Sequence, residues 1–192
     1  MTMSARRWAK TDYTQQRIVD AAIEVFGARG FTAATMADIV NYSGASIGSI
    51  YHHFGGKKEL FLAIFERLSS DVERRIEEAA RQASNLDGRQ AFDVHAAAYL
   101  RAMWANRRAA MVLASGDVPA GFDEIRRRSM LISIRRWLSV LDVDNSKRGQ
   151  LMSRVLVAIM IEASVLVTLC DDTADVEAVI DATIESIDSL TS

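Results

Sequence analysis

The sequence predicts an all-α protein of about nine helices, and three features support this prediction. The 192-residue chain is 49% hydrophobic and 25% charged, which is typical of a globular protein. Most of its common residues are good helix formers, and ten glycines and one proline interrupt it rarely. Apolar residues recur at three- and four-residue spacings, without strand-like alternation. The predicted helices cover 14–29, 36–42, 46–53, 57–83, 91–106, 108–115, 122–141, 148–170 and 173–190.

The second and third predicted helices are short and lie on either side of a glycine turn. Thr35, followed three residues later by Asp38, resembles a capping box at the start of the second helix. Ser46 is placed to cap the third helix, after the turn at Gly44. Because a longer helix precedes this pair, the arrangement predicts a helix-turn-helix unit.

The stretch SGASIGSIYHHFGGKKEL at 43–60 has the residue types of three kinds of site. A phosphate-binding loop is excluded because Gly44 and Gly48 are too close for its glycine spacing and no strand precedes them. A metal site is disfavoured because adjacent helical side chains such as His52 and His53 point about 100° apart. A DNA recognition helix fits best, since Gly48 lets the helix backbone approach a duplex closely.

The net charge of the chain changes sign near the end of this stretch, after residue 58. Residues 1–58 carry seven Lys and Arg against four Asp and Glu, a net charge of +3. Residues 59–192 carry sixteen basic and twenty-one acidic side chains, a net charge of −5. A basic N-terminal unit on an acidic body indicates a polyanionic partner. The predicted domains are therefore a DNA-binding domain at 1–58, with a basic arm, and a helical body at 59–192.

The first sixty or so residues resemble the DNA-binding domain of the TetR family of bacterial repressors. The resemblance is carried by IVDAAIEVFGARGF at 18–31, TMADIV at 35–40, SGASIGSIYHHF at 43–54 and KKEL at 57–60, about a third of the chain. It implies three N-terminal helices and a long fourth helix that links them to a helical body. It also implies dimerisation through the last two long helices and a small-molecule pocket among the central helices.

The resemblance further implies which residues contact double-stranded DNA. Thr35 is expected at a phosphate, and His53 and Lys57 on the DNA backbone, with His52 exposed beside them. The residues expected to face the major groove are Ser46, Ile47, Gly48, Ser49 and Tyr51. Ile47 stands where many members have a polar or basic residue, so base reading there is expected to be apolar. Flanking contacts are expected from the arm residues Arg6, Arg7 and Lys10.

The implied pocket needs adaptable apolar side chains with a few polar atoms. Its candidate lining residues are His95, Tyr99, Met103, Trp104, Met111, Phe122, Trp137 and Met160. Each of them also fits an ordinary core position, because aromatic residues and methionines at helical spacing usually pack in cores. The effector is an unknown small molecule, and whether it releases or promotes DNA binding stays open.

The segment 151–170 is long and apolar enough to raise the question of a membrane span. Arg154 and Glu162 lie within it, and each would cost about 2.5–3.5 kcal/mol at a bilayer centre. We therefore expect no membrane, but a helix buried on several sides, one of them formed by another subunit. The small residues that would let a neighbouring helix approach are Ala158, Ala163 and Ser164.

The remaining features of the sequence limit the kinds of function that we expect. Cys170 is the only cysteine, which excludes an internal disulfide and a cysteine-based zinc cluster. The N-terminus lacks the apolar stretch of a secretion signal, so we expect a cytoplasmic protein. No catalytic arrangement stands out, so no enzyme, cofactor or metal is expected. We predict a ligand-responsive repressor that binds a palindromic operator as a homodimer; the alternatives are a helical protein-binding adaptor and an enzyme on a helical scaffold.

Overall fold

The structure, a computed structural model, describes residues 3–82, 86–138, 144 and 146–191, and their side chains except those of 3–11 and 133–138. Nine α-helices and no strand occur in this part of the chain, so the predicted all-α fold is confirmed. The helices are α1 Met3–Ala33, α2 Met36–Ser43, α3 Ile47–Phe54, α4 Lys57–Gln82, α5 Gly88–Ala105, α6 Arg107–Ala114, α7 Phe122–Leu138, α8 Lys147–Thr168 and α9 Thr173–Thr191. The predicted end of α7, at 139–141, lies outside the described residues.

Helix α1 differs most from its prediction. It begins at Met3 rather than at residue 14, because the charged arm contains no glycine or proline although it has no clear apolar stripe. Gly30 interrupts it with φ 77° and ψ 164°, a region of backbone conformation that almost only glycine adopts. The predicted end of the first helix, at residue 29, thus coincides with this interruption, after which the chain forms one more helical turn before α2.

The caps predicted for α2 and α3 are confirmed. The Thr35 hydroxyl accepts a hydrogen bond from the Asp38 amide at 3.1 Å, and the Asp38 carboxylate accepts one from the Thr35 amide at 2.9 Å. The Ser46 hydroxyl accepts from the Ser49 amide at 3.1 Å. Gly44 ends α2 in the left-handed conformation, with φ 64°. The two caps and the glycine turn are local features, and they predict the helix-turn-helix from the sequence alone.

Contacts divide the chain into two compact units, and their boundaries differ from the predicted division after residue 58. One unit combines Met1–Leu68 with Arg108–Phe122, and the other combines Ser69–Arg107 with Asp123–Ser192. The unit with the helix-turn-helix thus also contains most of α6 and the following loop. The assignment of DNA binding to one part of the chain and of ligand binding and dimerisation to the other stays a prediction.

The second unit has its core where α5, α8 and α9 pack together. Phe92 and Leu100 of α5, Leu156 of α8 and Ile180 and Ile187 of α9 are each at most 1% exposed. Arg89, near the start of α5, forms an ion pair with Asp188 of α9 at 2.6 Å. The apolar packing, supported by such pairs, fixes the last two long helices side by side.

Helix α8 is only partly buried. It is the one helix among the described residues that is long and apolar enough to cross a membrane by length and composition, and 28% of its most apolar 18-residue stretch is buried. Ala163 and Ser164, predicted as approach points for a neighbouring helix, are buried within their own unit, whereas Ala158 is exposed. Helix α8 thus retains an apolar surface that its own unit does not cover.

Candidate nucleic-acid interface

Helix α3 presents one buried and one exposed side. Ile50 is fully buried and anchors the helix on its unit, and Phe54 is half-buried. Ile47 is 47% exposed and Tyr51 50% exposed, which is high for large apolar side chains. Gly48 lies between them, and a Cβ built there would meet nothing within 4 Å. The exposed side is therefore open enough for close approach of an external surface.

Polar groups surround this exposed side at the start of each short helix. The Ser46 hydroxyl accepts from an amide of α3, which leaves its own proton available to an external acceptor. The Thr35 hydroxyl instead donates to the Asp38 carboxylate at 2.7 Å, so a phosphate contact would require it to turn. Hydrogen bonds from Thr35 and the charge of Arg29, 3.2 Å away, hold the pKa of Asp38 below its usual value. Thr35 thus stabilises α2 directly.

The two histidines at the end of α3 have different surroundings. His52 is exposed, whereas His53 is half-buried with its Nδ1 atom 3.5 Å from Nε2 of Gln15 in α1. Their rings lie edge to face with centroids 5.3 Å apart. His53 is therefore held by α1, a support that sequence inspection did not anticipate.

Lys57 holds the turn that precedes α2. Its ammonium donates to the carbonyl oxygens of Ala34 at 2.8 Å and of Thr32 at 3.2 Å, and it lies 4.6 Å from the centre of the Phe31 ring. An ammonium group has three protons, so a third donor remains for a phosphate oxygen. The predicted phosphate contact is thus compatible with a structural role.

Asp117, which sequence reasoning missed, fixes the same turn from the α6–α7 loop. Its carboxylate accepts from the Thr32 amide at 3.0 Å and from the Thr32 hydroxyl at 2.5 Å. These hydrogen bonds, the hydroxyl first, lower the pKa of Asp117, and the charge of Lys57 adds to the effect. Its Oδ2 atom occupies the space where a Cβ of Gly30 would lie. A glycine at position 30 is therefore required by both conformation and space.

A further contact joins α6 to α1, since Arg108 forms an ion pair with Glu24 at 2.5 Å. Val112 of α6 also lies near Gly27 of α1, because a Cβ added at Gly27 would be 3.6 Å from a Val112 methyl group, an ordinary packing distance. The loop after α6 ends at Phe122, which is 1% exposed. The sequence of the loop between α6 and α7, which contains Gly116, Pro119 and Gly121, predicts a loop but not its contact with α1.

The predicted pocket residues fall into both compact units. Met111 and Phe122 belong to the helix-turn-helix unit, where Met111 is 49% exposed and Phe122 packs against other aromatic rings. The members found in the second unit are His95, Tyr99, Met103, Trp104, Trp137 and Met160. The Trp137 side chain lies outside the described residues, as do those of Arg6, Arg7 and Lys10.

Within the second unit, most of these residues pack around its core. Met160 is 2% exposed, and Tyr99, Met103 and Trp104 pack against the same core cluster. Burial raises the pKa of Tyr99, and the Trp104 indole donates to the Cys170 carbonyl at 3.1 Å. These contacts are those of core residues, and the assignment to a ligand pocket stays a prediction.

A shallow cavity of about 430 Å³ opens elsewhere on the second unit. It is lined by Ala79, Gln82, Asp93, Val94, Ala97, Ala98 and Arg101, none of which belongs to the predicted set. Arg101 is engaged by Glu177, with an Nε–Oε1 distance of 2.7 Å. Burial raises the pKa of Asp93, against the opposing charge of Arg89. The cavity combines apolar and polar side chains, and it lies apart from the residues predicted to line a ligand pocket.

Comparisons with known proteins match the helix-turn-helix region. Residues 18–64 match the sequence model of bacterial regulatory proteins of the tetR family. Over 62 residues the chain is 42% identical to the HTH-type transcriptional regulator SrpR of Pseudomonas putida, covering 32% of this chain and 29% of that protein. It is also 42% identical over 62 residues to the uncharacterized HTH-type transcriptional regulator TtgW, likewise of Pseudomonas putida, of which it covers 46%. The match thus spans less than half the length of these relatives.

The whole fold resembles a solved structure. A TetR-like transcriptional regulator from Rhodococcus sp. RHA1 superposes with a TM-score of 0.71 at 24% sequence identity, with 93% of each chain covered. This likeness shows a shared fold. The resemblance predicted from the sequence is therefore confirmed for the helix-turn-helix segment and for the all-α architecture.

Proposed function

We propose, on the premise that its helix-turn-helix segment belongs to the tetR family of bacterial regulatory proteins, that this chain is a repressor of transcription. It binds double-stranded DNA as a homodimer, and a small molecule releases it. The observation that carries the proposal is the exposed side of α3, where Ile47 and Tyr51 flank the open backbone at Gly48. The family match at 18–64 includes all the predicted contacts from Thr35 to Lys57.

Helix α3 is the recognition helix in this proposal. Its N-terminal residues enter the major groove, as the second helix of a helix-turn-helix does. The exposed Ile47 side chain meets a thymine methyl group, and the Tyr51 hydroxyl and the Ser46 hydroxyl meet polar groups of bases or phosphates. Lys57 contributes a phosphate contact through its remaining proton.

The homodimer forms through α8 and α9. Large apolar side chains on these helices, and at Leu169 directly after α8, are exposed in the single chain: Leu151 63%, Val165 46%, Leu166 52%, Leu169 64% and Leu190 41%. Exposed apolar surface of this kind is characteristic of protein–protein interfaces. The twofold symmetry of such a dimer places the recognition helices in successive major grooves, about 34 Å apart, on a palindromic operator.

Release by a small molecule depends on the connections of the chain between its two units. The chain passes from one unit to the other within α4, at the start of α6 and at the start of α7. A ligand that changes the packing of these helices in the second unit therefore acts on the helix-turn-helix unit. Coupling between two sites of this kind is typically about 1–3 kcal/mol and is reciprocal.

Fluorescence anisotropy with DNA from upstream of the protein's own gene tests the proposal. We expect tight binding to one segment, weaker binding to the same segment scrambled, and log K falling linearly with log salt concentration. Equal affinity for the native and scrambled segments would refute sequence-specific repression. Compounds that shift the melting temperature are then tested for release of the bound segment.

Two tyrosine variants test whether α3 reads the bases or whether loss of any exposed tyrosine changes DNA binding. Tyr51 on α3 and Tyr42 on α2 are both exposed, at 50% and 63%. We expect Tyr51→Ala to change the preference among operator variants, and Tyr42→Ala, which lies outside the predicted contact set, to leave it unchanged. Equal effects of both substitutions would argue against α3 as the base-reading element.

A further inference from the structure

One stripe of α8 is exposed along the full length of the helix. At 100° per residue, the residues within about 40° of the direction of Ala158 share this stripe. They are Lys147, Leu151, Arg154, Ala158, Glu162 and Val165, together with Leu169 directly after the end of the helix, and all seven are exposed. The buried residues of α8 face the opposite direction, among them Leu156, Met160 and Val167. The stripe is therefore the side of α8 that its own unit leaves uncovered.

The central part of the stripe, from Leu151 to Val165, is symmetric in residue character about Ala158, whereas its ends, Lys147 and Leu169, differ. At equal distances from Ala158 lie the apolar Leu151 and Val165, and the oppositely charged Arg154 and Glu162. Neither charged residue has an ion-pair partner among the described residues. The central alanine has the smallest side chain of the stripe, so another helix can approach most closely there. This pattern is self-complementary under a twofold axis through Ala158.

We infer that α8 packs antiparallel against α8 of a second copy, with the twofold axis at Ala158. Arg154 of each chain then lies opposite Glu162 of the partner subunit, and Leu151 lies opposite Val165 of the partner subunit. The inference rests on the proposed homodimer and specifies its register. Each charged residue is four positions, or about 6 Å, from the axis, so both pairs form at once.

The charges also exclude the parallel arrangement. With a twofold axis along the helices, Arg154 would face Arg154 of the partner subunit, and Glu162 would face Glu162 of the partner subunit. Like charges placed directly opposite each other at an interface are strongly unfavourable. An antiparallel pair of α8 helices therefore gives Arg154 and Glu162 the ion-pair partners that they lack among the described residues.

Charge reversal tests the register. Arg154→Glu alone places two carboxylates opposite each other, and Glu162→Arg alone places two guanidinium groups opposite each other, so we expect each to weaken dimerisation about tenfold or more. The double variant R154E/E162R restores opposite charges and is expected to dimerise within a few-fold of wild type. An equimolar mixture of the two single variants is expected to form mainly heterodimers. Sedimentation velocity gives the dimer Kd, and native mass spectrometry identifies the heterodimer.

The matched controls are Arg128→Glu and Glu77→Arg, the same charge changes at exposed residues outside α8. They are expected to leave the dimer Kd unchanged. If the wild type dimerises and the single α8 variants dimerise equally well, the register is wrong while the proposed homodimer stands. If the wild type is monomeric at every concentration and still binds its operator, the homodimer and the register both fail.

Discussion

The carboxylate of Asp117 accepts both the amide and the hydroxyl hydrogen of Thr32, a residue 85 positions earlier in the chain. The contact joins the α6–α7 loop to the last turn of α1, directly before α2. Lys57 donates to carbonyl oxygens of the same turn. The turn that positions α2, and through it α3, is thus fixed from two separate parts of the chain.

Replacing Asp117 tests this contact through its pH dependence. Hydrogen bonds from Thr32 lower the pKa of Asp117 in the folded state. The contact therefore stabilises the fold at pH values above the usual aspartate pKa of about 3.9. This stabilisation is lost as the pH falls through the lower pKa of the folded state. We expect Asp117→Ala to be less stable than wild type at pH 7, with the difference narrowing at acid pH. Urea unfolding from pH 7 to pH 3 measures it.

Asp123→Ala is the control for the loss of an exposed carboxylate, since the ion pair that Asp123 forms is with Arg126, three residues later in the same helix. It should change stability less than Asp117→Ala at pH 7. A stability difference between wild type and Asp117→Ala that stays constant over the whole pH range would contradict the assigned hydrogen bonds.

Gly30→Ala is expected to destabilise the helix-turn-helix unit. The backbone there has φ 77°, which costs a non-glycine residue about 1–3 kcal/mol, and the new Cβ would collide with Oδ2 of Asp117. The double variant G30A/D117A removes the collision, so its loss is expected to be smaller than the sum of the two single losses. Chemical denaturation of the four proteins measures this coupling. Strict additivity would show that the two residues do not meet.

The local parts of this fold were predictable from sequence, and the long-range parts were not. The caps at Thr35 and Ser46 and the break at Gly30 follow from residue types within three or four positions of each other. The Asp117–Thr32 contact has no such local signal, since an aspartate in a glycine- and proline-containing loop fits any exposed turn. The inclusion of α6 in the helix-turn-helix unit was missed for this reason.

The candidate pocket residues show the same limit. Aromatic and methionine side chains at helical spacing indicate that a helix has a buried side, but not whether that side faces a cavity or a core. Phe122 packs against Phe61 and Phe65 with ring planes 87° apart, whereas Met111 is exposed. The sequence pattern is the same for both, and only tertiary contacts distinguish them.

Gly48→Ala is expected to increase the stability of the fold and to weaken DNA binding. Gly48 lies within α3 and a Cβ there meets nothing within 4 Å, so alanine should raise the free energy of unfolding by about 0.5–1 kcal/mol. The added methyl group should weaken operator binding because it separates the helix backbone from the duplex. Urea denaturation and anisotropy on the same preparation measure both. A variant that is more stable and binds equally well would remove Gly48 from the interface.

Lys57→Ala is expected to affect both stability and DNA binding. Loss of its hydrogen bonds to the Thr32 and Ala34 carbonyls should cost about 1 kcal/mol. Loss of a phosphate contact should also reduce the slope of log K against log salt by about one. The matched control is Lys58→Ala, which removes the same charge from the neighbouring exposed residue. If both variants change the slope equally, the effect comes from net charge and not from a contact of Lys57.

Phe122→Ala is expected to destabilise the helix-turn-helix unit, although Phe122 was predicted to line a ligand pocket. The ring is 1% exposed, with its centroid 5.0 Å from that of Phe61 and 5.4 Å from that of Phe65. Removing a buried aromatic ring of this kind costs about 3–5 kcal/mol. Met111→Ala, in the same unit but 49% exposed, should change stability by less than about 0.5 kcal/mol. Equal melting temperatures of Phe122→Ala and Met111→Ala would show that the Phe61, Phe65 and Phe122 rings do not stabilise this unit. Such a result would favour the predicted role of Phe122 as a ligand contact.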